Sequence, residues 1–240
     1  MMQQYLAVKQ NYKDCILFFR LGDFYEMFWE DAIIASRDMD VVLTKKACGE
    51  EEKAPMCGVP YHAVDTYLAR LLEHGHKVAI AEQMEDPALA KGIVERQVIR
   101  VVTPGTVIRQ NMLSEKENNF LCSIFLQGND SGISWADIST GEFFAMQLKD
   151  DPTHDKLLSQ LVKIAPHEII TDASEEEAPW LWEQQAYFDK LLISVPQGDL
   201  FDAGCCLESL TAHYGRNALK AKGLAEEDVP LIFRSTGALL

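Results

Sequence analysis

Phe24 and Glu26 stand two positions apart in the run Cys15-Ile16-Leu17-Phe18-Phe19-Arg20-Leu21-Gly22-Asp23-Phe24-Tyr25-Glu26-Met27-Phe28. An aromatic ring offers a flat face for stacking. A carboxylate accepts hydrogen bonds when ionised and donates one when protonated. To act together the two side chains must share an exposed corner, and the surrounding residues suggest how. Residues 15–20 form a dense apolar run rich in β-formers, the pattern of a strand buried on both faces. Gly22 breaks the run, Asp23 stands where a helix N-cap would, and Glu26 follows three residues later. The spacing predicts a strand, a sharp turn and then a helix to about residue 38, with Phe24 and Glu26 in its first turn. Backbone N–H groups are unpaired at such a tip, and the dipole favours negative charge there. A plainer reading stays open: Glu26 as the reciprocal half of a capping box, and Phe24 as one core aromatic among several.

The string Phe19-Arg20-Leu21-Gly22-Asp23-Phe24-Tyr25-Glu26 resembles the mismatch-reading motif of the bacterial MutS family of DNA mismatch repair proteins. Three further blocks agree in order and spacing: Met2-Gln3-Gln4-Tyr5, Pro55-Met56-Cys57-Gly58-Val59-Pro60-Tyr61-His62-Ala63 and Val101-Val102-Thr103-Pro104-Gly105-Thr106. They span the first hundred or so residues, and the second half resembles the family's connector more loosely. The resemblance implies that Phe24 wedges between base steps from the minor groove and that Glu26 bonds the mispaired base. Such insertion unstacks and kinks a duplex at a cost of roughly a few kcal/mol per step. A mispaired base has already lost pairing, which lowers the cost, and stacking on an aromatic returns about 1–3 kcal/mol. By motif position, Leu21, Met56, Pro60 and Tyr61 would line the minor groove, and Lys45, Lys46 and Arg96 would contact phosphates. Read without the resemblance, Met56 and Tyr61 pack in a core and Lys45-Lys46 is a solvated strand end. Arg96 and Arg100, on one strand face, would then meet solvent or acids.

The remaining elements follow from periodicity and turn residues. Residues 2–13 read as a short amphipathic helix or arm, Val41–Thr44 as a strand, and Pro55–His62 as a fixed turn placing Met56 and Tyr61. Ala63–Glu73 reads as a helix closed by Gly75, His76–Gln83 as a strand, residues 86–92 as a loop or short helix, and Val94–Thr103 as a long strand. This gives a mixed-sheet α/β unit over 1–104, followed by a polar, turn-prone linker at 105–117. Three short strands come next, Phe120–Leu126, Ile133–Ile138 and Glu142–Leu148, separated by glycine-containing turns. Helices at about 153–164, 178–190 and 200–214 then alternate with strands at Glu168–Thr171 and Leu191–Val195. An antiparallel meander followed by alternating helices and strands suggests a ribonuclease-H-like α/β connector over 118–236, the fold the resemblance also implies. Residues 237–240 read as the start of a truncated next domain.

Composition bounds the function. No apolar run approaches the ~18 residues that span a bilayer, and no secretory signal is visible. The six cysteines form no C-x-x-C pair, and adjacent Cys205 and Cys206 on a helix read as small buried residues in a reducing compartment, so a cytoplasmic, membrane-free protein is expected. The net charge of −15 is uneven: residues 1–110 hold 13 Lys/Arg against 16 Asp/Glu, and residues 111–240 hold 9 against 21. The second half should be repelled by phosphate. His74-Gly75-His76 is too short a spacing for a metal site. A metal-dependent nuclease, one alternative, needs several convergent carboxylates, whereas Phe120–Leu126 carries none and Asp137 stands alone. A pure protein-interaction module is another alternative. No G-x-x-x-x-G-K-[ST] occurs, so the chain is expected to have no enzymatic activity and no cofactor. The resemblance implies that ATP and Mg²⁺ belong to a full-length, homodimeric parent, that the ligand is duplex DNA with mispairs or small loops, and that the connector transmits nucleotide state and offers a surface to MutL.

Overall fold

The structure is a computed structural model of the 240-residue chain, describing residues 1–47, 53–85, 94–106, 118–188, 190–196, 198–215 and 229–240. The described residues form two compact units, one over 1–104 and the other from 105 onward. Among them no helix is long and apolar enough to cross a membrane.

The first unit is built on β1 (Cys15–Leu21), whose first five residues are all buried. It lies inside a six-stranded mixed sheet with β2 (Phe24–Phe28), β3 (Thr44–Ala47), β4 (Lys53–Pro60), β5 (Lys77–Gln83) and β6 (Arg96–Val102), in the order β3-β4-β2-β1-β5-β6. β1 runs parallel to β5, and the other neighbours are antiparallel. The dense apolar run follows from this position, because helices cover both faces of the strand. On one face α1 (Met2–Asn11) sets the Tyr5 ring edge-on against Phe19 and Phe28, 5.4 and 5.0 Å between centroids. The other face packs against α2 (Trp29–Met39) and α3 (Val64–Glu73).

The expected strand–turn–helix is instead a β-hairpin. Phe24 to Phe28 is a strand, not a first helical turn, with Leu21 opposite Phe24, Arg20 opposite Tyr25 and Phe19 opposite Glu26. Tyr25 and Met27 are buried on one face while Phe24 and Glu26 point to the other, a period of two that a helix cannot satisfy. No capping box forms, because Glu26 lies in a strand and not in a first helical turn. The helix begins only at Trp29, whose φ of 51° turns the chain and whose ring packs against Tyr5 and Phe28. Two other boundaries move. The strand expected at Val41–Thr44 is β3 at Thr44–Ala47, and the turn expected at Pro55–His62 is mostly the strand β4, followed by a 3₁₀ turn over Tyr61–Ala63. The loop expected at residues 86–92 lies outside the described residues.

The second unit carries β7 (Phe120–Gln127), β8 (Asp130–Asp137), β9 (Glu142–Leu148), β10 (Glu168–Thr171) and β11 (Leu192–Ser194), in the order β11-β10-β7-β8-β9. An antiparallel meander with two parallel strands added beside its first member is the ribonuclease-H-like layout. α4 (Asp155–Ile164) and the single turn α5 (Pro179–Trp182) close one face over Ile124, Ile133 and Ile169. The longer helix expected over 178–190 does not form: a 3₁₀ turn at Glu183–Ala186 follows α5. The opposite face holds α7 (Pro230–Leu239), with Ser235 and Thr236 hydroxyls 2.8 and 2.9 Å from Ser134 Oγ. Residues 237–239 form the last turn of this packed helix. A Cβ at Gly237 would sit 2.4 Å from Cys206 Cβ of α6 (Ala203–Tyr214), so the two helices meet where only glycine fits. Of the stretch read as a linker, Gly105 belongs to this unit, donating its N–H to Glu168 Oε2 at 3.0 Å, and residues 107–117 lie outside the described ones.

Asp31 of α2 fixes the first unit. Its carboxylate accepts from Tyr5 Oη at 2.8 Å, Lys9 Nζ at 2.8 Å and Leu17 N at 3.0 Å. Tyr5 Oη in turn accepts from Phe28 N at 3.3 Å. One buried side chain thus ties α1, β1 and β2 to α2. Asp31→Ala leaves three donors without their acceptor and should lower the unfolding free energy by about 3 kcal/mol or more, read from the urea midpoint. Tyr5→Phe, which removes one donor to Asp31 and the acceptor of Phe28 N, should cost about 2 kcal/mol.

Asp38, at the other end of α2, takes a hydrogen bond and charge from Arg37 and a contact from His76 Nε2 at 2.7 Å. Arg37, with His76 adding to it, outweighs burial and holds this carboxyl at about 2. A carboxyl depressed in the folded state stabilises above its unfolded value of about 4. That contribution is lost as pH falls toward about 2. Thermal midpoints of Asp38→Asn should therefore lie below the parent's at neutral pH and converge with them as pH drops through this window.

Candidate nucleic-acid interface

The β1–β2 hairpin turns through two residues, Gly22 and Asp23. Gly22 has φ +58° and Asp23 does not share the positive sign, the requirement of a II′ turn, whose twist suits two right-handed strands. Nothing lies within 4 Å of a Cβ built at Gly22, so backbone conformation alone calls for glycine here. The turn is braced from outside. Asp23 O accepts from Tyr61 N at 2.9 Å, and Gly22 O accepts from Arg20 Nε at 2.5 Å. The Arg20 guanidinium lies 3.9 Å from the Tyr61 ring centroid and 5.5 Å from that of Tyr25, and reaches Glu82 at 3.7 Å. Tyr25 donates its hydroxyl to Glu82. Burial first, and then this carboxylate, push the Tyr25 phenol up to about 12.

At the tip the expected residues separate into those brought together and those that are not. Phe24 is 47 % exposed, with Leu21 on one side and Pro60 on the other in direct register. Tyr61, the next residue beyond Pro60, is 43 % exposed. Glu26 faces the same way as Phe24, opposite Gly58, and Phe28 pairs with Met56 on that face. Lys46 belongs to it too, and its Nζ donates to Glu26 Oε2 at 2.5 Å. Lys45, one residue earlier on the edge strand, faces the opposite side. Arg96 stands apart from the corner. It is 8 % exposed, its Nε donates to Arg20 O at 2.6 Å, and its Nη1 donates to Val94 O and Gln4 Oε1 at 2.7 and 3.1 Å. Burial lowers its proton affinity. The guanidinium expected on phosphate is engaged inside the unit, bracing β1 against β6.

Sequence reasoning missed Arg20, Lys9 and Asp31 as the side chains that position this corner. The contacts Lys9–Asp31, Leu17–Asp31 and Arg20–Glu82 join residues 14 to 62 apart along the chain, beyond the reach of local periodicity. The histidines considered for metal are used structurally, His76 on Asp38 and His74 on Arg70 O. No group of three or more His, Cys, Asp or Glu suited to a metal occurs among the described residues. In the second unit Asp137 accepts from Asn119 N, Ser139 N and Ser139 Oγ at 3.0, 2.8 and 2.6 Å. Burial raises this carboxyl, but those donors outweigh it and bring the group below its ordinary value.

The fold defines a two-unit α/β protein: a mixed-sheet unit with an exposed ring beside a carboxylate, then a ribonuclease-H-like unit. Residues 1–111 match MutS domain I and residues 119–240 match MutS domain II. The chain belongs to the MutS family. A relative from Ruminiclostridium cellulolyticum named DNA mismatch repair protein MutS is 47 % identical over 240 residues, all of this chain and 27 % of its own length. One of the same name from Acetivibrio thermocellus is 47 % identical over 243 residues, again all of this chain and 27 % of its own. The Clostridioides difficile protein of that name is 58 % identical over 170 residues, 71 % of this chain and 18 % of its own. The chain thus spans about a quarter of the length of the relatives it matches end to end.

Gly22→Ala tests the turn. With free space around the new methyl, the cost is conformational only and should be about 1 kcal/mol, read as a lower urea midpoint with an unchanged m-value.

Proposed function

We propose that the first unit recognises mispaired DNA by driving Phe24 into the base stack from the minor groove while Glu26 hydrogen-bonds the displaced base. The observation that carries this reading is the placement of one ring. Phe24 is half exposed at the end of a strand whose other rings, Tyr25 and Phe28, are buried. A protein that needed the ring only for its core would not hold it in water at a rigid tip. Leu21 and Pro60 flank the ring as minor-groove contacts, Met56 lies farther along the same face opposite Phe28, Tyr61 extends the apolar edge, and Lys45 is available to a phosphate from the outer side of β3. Arg96 is left out of the interface because the residue is buried and its Nε and Nη1 are engaged inside the unit. The relatives' name, DNA mismatch repair protein, supports the same ligand: duplex DNA with mispairs or small loops.

Domain I, over 1–104, is in this reading the mismatch reader, and domain II, over 118–240, the connector. The second half carries 9 Lys/Arg against 21 Asp/Glu, which keeps it off phosphate and leaves it free for a protein partner. Through the family we extend the proposal to a MutL-like partner, to ATP and Mg²⁺ held by other parts of a full-length homodimer, and to action in the cytoplasm. The test is Phe24→Ala in the full-length protein, with binding measured on a duplex carrying one mispair and on its perfect counterpart. Affinity for the mispaired duplex should fall about 5- to 150-fold, the equivalent of losing about 1–3 kcal/mol of stacking, and affinity for the perfect duplex should change little. Equal losses on both duplexes would overturn the reading.

A further inference from the structure

Lys46 does not stand as a free cation. It lies on the same face as Phe24, Glu26 and Phe28, while its neighbour Lys45 faces away. Its Nζ donates to Glu26 Oε2 at 2.5 Å and sits 5.7 Å from the Phe28 ring centroid. The contact reaches over β4, where Gly58 stands opposite Glu26 and puts no side chain beside the carboxylate. A Cβ at Gly58 would already come to 3.5 Å from Glu26 Cγ. The carboxylate is the more enclosed partner, its side chain 15 % exposed against 33 % for the lysine. Glu26 Oε1 takes no hydrogen bond from any described residue. The pair is partly buried, so it is screened less than a surface pair, and its charge also acts on whatever approaches the carboxylate.

We propose that Lys46 is the positioning residue of Glu26 and not a phosphate contact. It holds Oε2 from the side, neutralises the carboxylate where a polyanion must come close, and leaves Oε1 turned outward as the acceptor for a base N–H. This rests on the reading of Phe24 and Glu26 as the base-contacting pair. The geometry gives the lysine a role that a cation reaching for phosphate lacks: its contribution passes through Glu26 and vanishes when Glu26 carries no charge.

The experiment compares Lys46→Met, Lys46→Arg, Glu26→Gln and the double substitution Lys46→Met with Glu26→Gln, alongside Phe24→Ala, in the full-length protein. Binding to mispaired and perfect duplex is followed by fluorescence anisotropy over a range of salt, after melting curves show each variant folded. Lys46→Met should lower the mispair-to-perfect affinity ratio about tenfold, the scale of one charge-assisted hydrogen bond. The slope of log K against log salt should not change. Lys46→Arg should keep most of the ratio, and in the Glu26→Gln background Lys46→Met should change it less than about twofold. A salt slope shallower by about 1 with the ratio intact would make Lys46 a phosphate contact and overturn the inference. An equal effect of Lys46→Met in both backgrounds would overturn it as well. If Phe24→Ala collapses the ratio and Lys46→Met does not, the lysine inference alone fails. If Phe24→Ala leaves the ratio intact, the wedge reading itself fails.

Discussion

The first unit depends on one buried carboxylate. Asp31 is 5 % exposed, and a charge so enclosed is tolerated only when its oxygens are fully met by donors. Here those donors come from Tyr5, Lys9 and Leu17, so satisfying Asp31 and docking α1 are one event. Tyr5 is the single buried residue of this helix, and ten residues are marginal as a free helix, so α1 depends on being docked. By pinning α1 over Phe19 and Phe28, Asp31 decides which part of that sheet face is covered. The hairpin end carrying Phe24 is the part left open.

The open end stays open because of register. Tyr25 and Met27 are sunk in the opposite face, and a slip of one residue would drive Phe24 and Glu26 inward and bring these two out. Three contacts to the turn and the strand beside it, from Tyr61, Arg20 and Glu82, resist that slip at the point where a hairpin would otherwise fray. An exposed ring on a mobile loop would lose its freedom on meeting a ligand and bind more weakly for it. On a braced two-residue turn that loss has already occurred in folding.

Much of this architecture was legible, and the failures have physical causes. The buried run at 15–20, the helix at 64–73 and the second unit's meander announce themselves by periodicity and by glycine at the turns. Phe24 and Glu26 lie on one face of β2, and Tyr61 follows Pro60, the residue in register with Phe24. The helix ending near residue 38 is there, but the spacing puts its start five residues early because Asp23 and Glu26 imitate a capping box, while the competing signal, period-two alternation over only five residues, is short. β-Forming aromatics at 24, 25 and 28 should have weighed against the cap. Buried charges were not legible at all. Arg96 and Asp31 look like surface residues until the chain brings a carbonyl 76 residues away and a hydroxyl 26 residues away into hydrogen-bonding range.

Magnitudes explain why a single ring at such a corner would suffice under the proposed function. A phenylalanine side chain has about 200 Å² to bury. Phe24 keeps 47 % of its surface exposed, so roughly 90 Å² remains to be covered on insertion. At about 25 cal/mol per Å² that is worth roughly 2 kcal/mol. Unstacking a sound base step costs roughly a few kcal/mol, which cancels or exceeds this gain. Where pairing is already lost the cost falls and the balance turns favourable. A larger exposed apolar surface would open sound duplex too, and a smaller one would open neither. Discrimination then comes from a gain set close to the cost of the step it must refuse, and the hairpin's fixed exposure of one ring is what sets it.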